Sequence, residues 1–151
     1  MSITTITLDF IKAEQVRLAA LIAAFEAQRP TEYGIPAAMI ELQPGESYAG
    51  IVLDDEGQPQ HHLVLLPGQI EDADWETALA WAKQEGGELP TRQEQALLYA
   101  NQKPQFGGAC YWSCEAYNSG SAWYQYFGYG TQRSLRKGAL LRARAVRRLP
   151  I

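Results

Sequence analysis

Residues 89–101 read LPTRQEQALLYAN, and the way this stretch opens decides how the middle of the chain is organised. Proline fixes its own φ and keeps the residue before it out of the helical region, so Leu89-Pro90 is extended. Thr91 and Glu94 then stand at the S/T-x-x-E spacing of a capping box. In that device the hydroxyl takes the amide three residues on, and the glutamate reaches back to the cap amide. The spacing predicts a helix from Thr91 to about Asn101, with Ala96, Leu97 and Ala100 toward a core and Lys103-Pro104 stopping it. Upstream, Asp74 caps a second predicted helix, Trp75–Glu85 (WETALAWAKQE), with Trp75, Leu79 and Ala82 on one face and Gly86-Gly87 ending it.

Strand signals lie on either side. Toward the N-terminus, AAMIEL (37–42), SYAGIVLDD (47–55) and QHHLVLL (60–66) are separated by Gln43-Pro44-Gly45 and Asp54–Gly57, as in an antiparallel meander. Toward the C-terminus, residues 111–129 hold eight aromatics, and Asn118-Ser119-Gly120 divides them into two short strands. Residues 139–149 (ALLRARAVRRL) alternate as one last strand, which would place Arg142 and Arg144 on the same face. Trp112 and Trp123, on neighbouring strands, are expected to fill the core between sheet and helices.

At the start of the chain, residues 8–28 form a predicted amphipathic helix capped by Thr7, and Arg29-Pro30 ends it. Ile11, Leu18, Ile22 and Phe25 fall at alternating a and d positions, with Gln15 at the intervening a. The pattern fits a homo-oligomer formed through residues 8–28 and equally a helix packed on its own domain. The expected organisation is an N-terminal helix over residues 1–30, a linker at 31–36 and an α+β domain over 37–151, with two helices among short antiparallel strands.

Composition sets the bounds. The 151 residues are 46% apolar and 20% charged, which excludes global disorder. A chain of this length buries about 70% of its unfolded surface, a real core without metals or disulfides. No apolar run reaches the roughly 18 residues of a membrane span. The opening MSITTITLDFIKAEQ lacks the pattern of a secretory signal, and two cysteines do not make a disulfide framework, so a cytoplasmic location is expected. The net charge of −4 is unevenly distributed: all 17 acids lie at or before Glu115 with six cations, a balance of −11, and the remainder carries seven cations and no acid. Such a split either steers a charged partner or cancels by pairing within one fold.

Four pieces in order, Leu89-Pro90-Thr91 with Glu94, Tyr111-Trp112-Ser113, Ala122-Trp123 and Arg144-Ala145-Val146-Arg147, resemble the Lcl C-terminal-domain family. That family's pattern runs LPT-x-x-E, YWSS, a later A-W and a closing R-C-V-R. The resemblance covers about residues 65–149 and implies a C-type-lectin-like fold. The chain departs from the pattern at Cys114, where serine stands, and at Ala145, often cysteine. An acidic N-terminal part joined to such a module looks like small bacteriophage or prophage proteins, which implies a setting in the producing cell or on a virion. Leu89, Pro90, Thr91, Glu94, Trp112 and Trp123 read as architecture rather than site.

The chemistry that can be ruled on is mostly negative. Adjacent on a strand, His61 and His62 point to opposite faces and cannot share a metal. The Glu-Pro-Asn, Gln-Pro-Asp and Trp-Asn-Asp motifs of calcium-dependent lectin-like domains are missing, and no carboxylate follows Glu115 to serve calcium. Cys110 and Cys114 invite comparison with the copper-holding pair of the formylglycine-generating enzymes, which share this fold class. Four residues of extended strand span roughly 13 Å, too far for two thiolates to share a metal without a sharp bend. No catalytic constellation and no cofactor is expected.

Binding is the remaining expectation. Tyr117, Asn118, Tyr124, Tyr126, Tyr129, Gln132, Arg133 and Arg136 are expected to present an aromatic and basic surface to a protein or glycan partner. Similar phage receptor-binding and retroelement-diversified proteins display their variable residues in this region. The alternative is a phage anti-defence or nucleic-acid-associated protein, whose basic and aromatic residues over 117–148 would hold phosphates and stack bases. Net acidity and the lack of a nucleic-acid-binding motif count against direct contact with DNA.

Overall fold

The computed structural model describes residues 5–151, and the chain divides into two units, Met1–Ile35 and Pro36–Ile151. Met1–Thr4, read above for a targeting signal, lie outside the described residues. The first unit holds helix α1 (Leu8–Ala27), on which the Thr7 hydroxyl accepts the Phe10 amide at 3.2 Å and Asp9 complements the positive end of the helix. Every residue of α1 is exposed. Among the described residues no helix is long and apolar enough to cross a membrane.

The second unit is α+β. Its elements run β1 (Ser47–Leu53), β2 (Pro59–Leu65), β3 (Ile70–Ala73), α2 (Trp75–Gln84), α3 (Arg92–Gln102), β4 (Cys110–Ala116), β5 (Ser121–Tyr126), β6 (Thr131–Arg136), β7 (Leu141–Ala143) and β8 (Val146–Pro150). They build two sheets, ordered β1-β2-β8 and β3-β7-β4-β5-β6, and every pairing is antiparallel except β4 with β7. The helix boundaries follow the caps read from the sequence. Asp74 accepts the Thr77 amide at 2.8 Å, and both arms of the Thr91/Glu94 capping box are formed.

Four expectations need correction. The predicted strand 139–149 is two strands in different sheets. The chain changes sheet at Arg144-Ala145, where the Arg144 guanidinium donates to the carbonyls of Gln105 (2.5 Å) and Leu66 (2.8 Å). Arg144 is thus buried while Arg142 is half-buried, and the two do not share a face. The predicted strand 37–42 joins neither sheet. Its ties are local or to a side chain: Arg147 donates to the Glu41 carbonyl at 2.8 Å, and Met39 is fully exposed.

The other two concern the core. The buried face of α3 is Glu94, Gln95 and Leu98, whereas Ala96 and Ala100 are exposed and Leu97 is half-buried. Polar side chains occupy that face because each finds a fixed partner. Gln95 Nε2, for example, donates to the Tyr111 carbonyl at 3.0 Å. Trp123 is half-buried rather than core. Strand alternation points its neighbour Ala122 into the α2-side core, and Trp123 itself emerges near the start of α3, where the Arg92 guanidinium covers its ring at 3.5 Å.

Trp75 takes the second core position beside Trp112. Both indole N–H groups are satisfied, Trp112 by the Ala73 carbonyl (2.9 Å) and Trp75 by that of Ser113 (2.8 Å). β4 divides two cores, since Trp112 enters one with Trp75, Leu89 and Ala122 and Tyr111 enters the other with Leu63, Leu98 and Phe127. In the second, Phe106 stacks on Phe127 at 3.9 Å and Tyr111 meets both edge-on. Trp112→Ala removes the largest fully buried side chain and is expected to cost about 3–5 kcal/mol. Urea unfolding followed by far-ultraviolet circular dichroism checks this; a loss below about 1 kcal/mol contradicts the packing described.

Candidate recognition surface

Glu94 stands at the centre of a cluster of ionisable groups. Its carboxylate is fully buried, and four donors occupy its two oxygens. Oε1 accepts the Thr91 amide (2.8 Å) and Arg148 Nη2 (2.7 Å), and Oε2 accepts His61 Nε2 (2.8 Å) and Arg148 Nε (2.7 Å). A carboxylate offers about four lone-pair sites, so none is left for a ligand. Arg148 also pairs with Glu88 and donates to the Leu89 carbonyl at 3.1 Å. This cluster is a fastener, although its residue types are those of a catalytic site.

The other reactive residues are engaged too. On the opposite face of β2 from His61, the His62 Nδ1 is hydrogen-bonded to the Tyr48 hydroxyl at 2.8 Å. Cys110, the first residue of β4, and Cys114, two residues before its last, are free thiols, and burial pushes both above the usual thiol range. Among the described residues no group of three or more His, Cys, Asp or Glu is placed to hold a metal ion. A cleft of about 730 Å³ lies between the Pro36–Gln43 segment and the His62, Arg147 and Leu149 face of the first sheet.

The eight residues expected to bind lie on the β4–β5–β6 sheet and its turns but do not form one surface. Directly opposed residues of paired strands share a face. Register therefore puts Tyr124 beside Trp112 and Arg133, and Tyr126 beside Cys110 and Thr131, all on the α2 side. Tyr129, 80% exposed in the β5–β6 turn, meets Tyr126 edge-on at 5.7 Å. Gln132 and Arg136 are on the other face, with Trp123 and Gln125. Tyr117 packs there against Trp123 at 5.3 Å, and Asn118 caps its own turn by accepting the Gly120 amide at 2.9 Å.

Gln132 is structural. Its Nε2 donates to the Arg92 carbonyl (2.7 Å) and Gln125 Oε1 (2.9 Å), and its Oε1 accepts from Arg92 Nε (3.1 Å). Arg92 and Trp123, which sequence reading did not place on a surface, occupy the space Gln132 was expected to offer. What the structure does bring together is Tyr124, Tyr126, Tyr129 and Arg133. Two glycines shape the turn beside this patch. A Cβ at Gly128 would collide with the Tyr126 ring, and Gly130, at φ +77°, would put one 2.8 Å from Tyr99. The bare turn lets the tyrosine lie against the backbone.

Pairing uses up much of the charge asymmetry. Arg142 meets Glu71 (3.7 Å), Arg147 meets Glu46 (2.6 Å), and Arg148 meets Glu88 and Glu94. Arg144 donates to carbonyls through Nη1 and Nη2, and its buried Nε has no partner. Among the described residues Arg133 and Arg136 have no ion pair. The cancelling reading therefore holds for the last strands, and the surplus is concentrated on β6. No protein-family model matches the chain, and no curated protein matches it as a relative.

The Glu94 cluster has a pH signature. Burial pushes its carboxyl up, but the Arg148 hydrogen bonds, the Thr91 amide, the Arg148 charge and His61 together outweigh that and hold it below the ordinary 4.5. A folded-state value below the unfolded one means the stabilisation is complete above pH 4.5 and is lost as pH falls through the folded value. Glu94→Gln is expected to cost about 1–3 kcal/mol at neutral pH, because it removes the charge that answers a half-buried Arg148, which keeps Glu88, and to flatten the acid limb of stability. Urea midpoints between pH 7 and pH 3 check both. The Arg147-bound Glu46, also held low, keeps some of the slope in the variant.

Proposed function

We propose that the Pro36–Ile151 unit is a C-type-lectin-like recognition module that binds a protein or glycan partner without a catalytic step. Its contact patch is Tyr124, Tyr126, Tyr129 and Arg133. One observation carries the reading: Arg133 has no carboxylate partner and stands beside tyrosines whose hydroxyls make no hydrogen bond among the described residues. Tyrosine offers rigid amphipathic area at small entropic cost, and an unpaired arginine favours an acidic group on the partner. The non-catalytic part is supported by the engagement of both histidines in interior hydrogen bonds and by the upward shift of both thiols.

The fold-family part draws on how the four motif pieces meet. The Cys114 amide donates to the Pro90 carbonyl at 2.9 Å, and Ser113 Oγ donates to the Trp123 carbonyl at 2.8 Å across the irregular part of β4. Glu88 and Val146 exchange backbone hydrogen bonds of 2.9 and 2.8 Å. The motif pieces thus lie against one another or against each other's immediate neighbours, which supports a common architecture.

The test is binding to an array of sulfated, sialylated and neutral glycans, alongside retention on heparin and a gel shift with single-stranded DNA. Wild type is expected to hold an acidic glycan. Tyr129→Ala with Arg133→Glu is expected to weaken that at least tenfold, about 1.4 kcal/mol, with an unchanged unfolding midpoint. A salt-sensitive shift of DNA without glycan binding overturns the reading in favour of a nucleic-acid partner.

A further inference from the structure

Helix α1 carries an apolar surface that no water-facing helix keeps alone. Leu8, Phe10, Ile11, Val16, Leu18, Leu21, Ile22 and Phe25 are each between 50% and 72% exposed. Exposed apolar area on this scale, several hundred Å² in one continuous element, marks an interaction site. Its distribution is unusual as well. Residues 18–25 read LAALIAAF, and at 3.6 residues per turn eight consecutive apolar residues cover every side of the helix. A helix apolar all round needs to be surrounded, and a single partner helix covers only one stripe.

We propose that α1 assembles with α1 of at least two other copies of this chain, forming a bundle of three or more helices. The heptad register supports copies of itself as the occupant. Leu8, Gln15 and Ile22 fall at a, and Ile11, Leu18 and Phe25 fall at d. The first heptad, with Leu8 at a and Ile11 at d, favours three- and four-stranded assemblies over dimers, and the other two heptads leave the strand number to the width of the apolar surface. Ala19 at e and Leu21 at g widen the seam beyond the a/d stripe, as bundles of more than two helices require. A single polar residue at a, here Gln15, sets register by facing its own copies. Charge permits this. Asp9, Glu14 and Glu26 against Lys12 and Arg17 leave α1 nearly neutral, so identical helices do not repel.

A membrane surface fits less well. An interfacial helix has a polar face rich in Lys and Arg, whereas α1 has two cations and its second half has no polar face. The assembly is independent of what the β5–β6 patch binds, and it would convert weak single contacts into avidity.

The test is light scattering on the full chain across a dilution series. Wild type is expected at three or more times the 16.8 kDa chain mass, and Leu18→Glu with Ile22→Glu at the mass of one chain. Met39→Glu, at a fully exposed position outside α1, is expected to leave the assembly intact. Unfolding followed by tryptophan fluorescence confirms that the double variant keeps its folded second unit. Wild type at one or two chain masses overturns the proposal, including the case in which that species floats with phosphatidylserine vesicles. Retention of the assembly by the double variant overturns it equally.

Discussion

A carboxylate taken wholly out of water costs several kcal/mol unless each lone pair is answered, and the second unit is arranged around answering those of Glu94. The donors come from three places distant in sequence: the α3 cap at Thr91, His61 on β2 and Arg148 on β8. Each is usable only if its element arrives at one position and register. A slip of one residue in β2 would turn His61 outward and bring His62 in, and a slip in β8 would exchange Arg148 for Arg147. The charge cluster therefore selects a register that apolar contacts alone would specify less sharply. It also explains why Thr91 and Glu94 are worth more than a helix cap.

The same preference for satisfied polar contacts attaches α3 to the other sheet. Gln95 Nε2 reaches the Tyr111 carbonyl, Gln125 Nε2 reaches the Gln95 carbonyl at 2.7 Å, and Gln132 links Gln125 to Arg92. Of the side-chain atoms in this chain of amides, Gln95 Oε1 alone is buried without a partner. Buried networks nearly complete in this way rigidify what they join. Their consequence is local: one face of β5 and β6 is fixed to α3, so Tyr124, Tyr126 and Arg133 project from strands that do not need to order themselves on binding.

Local rules made the helices, the first two strands and the aromatic hairpin legible, because caps, prolines and two-residue alternation act within a few residues. The capping box was readable down to its atoms. What Glu94 does with its other two acceptor positions was not, since His61 and Arg148 lie 33 and 54 residues away and no local pattern pairs them. The last strand was misread for the same kind of reason. Alternation runs through Leu141–Ala145, and the carbonyls of Gln105 and Leu66, which draw Arg144 inward, show that the chain changes sheets there. Trp123 lies on the strand next to that of Trp112, which suggests a shared core, while the parity of Ala122 decides its position. For the surface, composition identified the region and register divided it, so Arg133 and Gln132, adjacent in sequence, have unrelated roles.

Charge distribution connects these observations. A run of seven cations after the last acid looks, along the chain, like one basic patch. In the fold, Arg142 on β7, Arg144 in the link that follows it, and Arg147 and Arg148 on β8 are drawn against acids from the earlier part of the chain or against buried carbonyls. β6 is an edge strand, as β8 is of the other sheet, but among the described residues no acid pairs with its Arg133 or Arg136. Edge position alone would be accounted for by solubility, since charge on an edge strand discourages pairing with another chain. Arg133 exceeds that need. A lysine or arginine anywhere along β6 would protect the edge, whereas this one stands in register with Tyr124, next to the tyrosine pair that Gly128 makes room for. Three independent local features (an unpaired charge, an aromatic cluster and a turn cleared of side chains) coincide on one face, and protection of a sheet edge requires only the first.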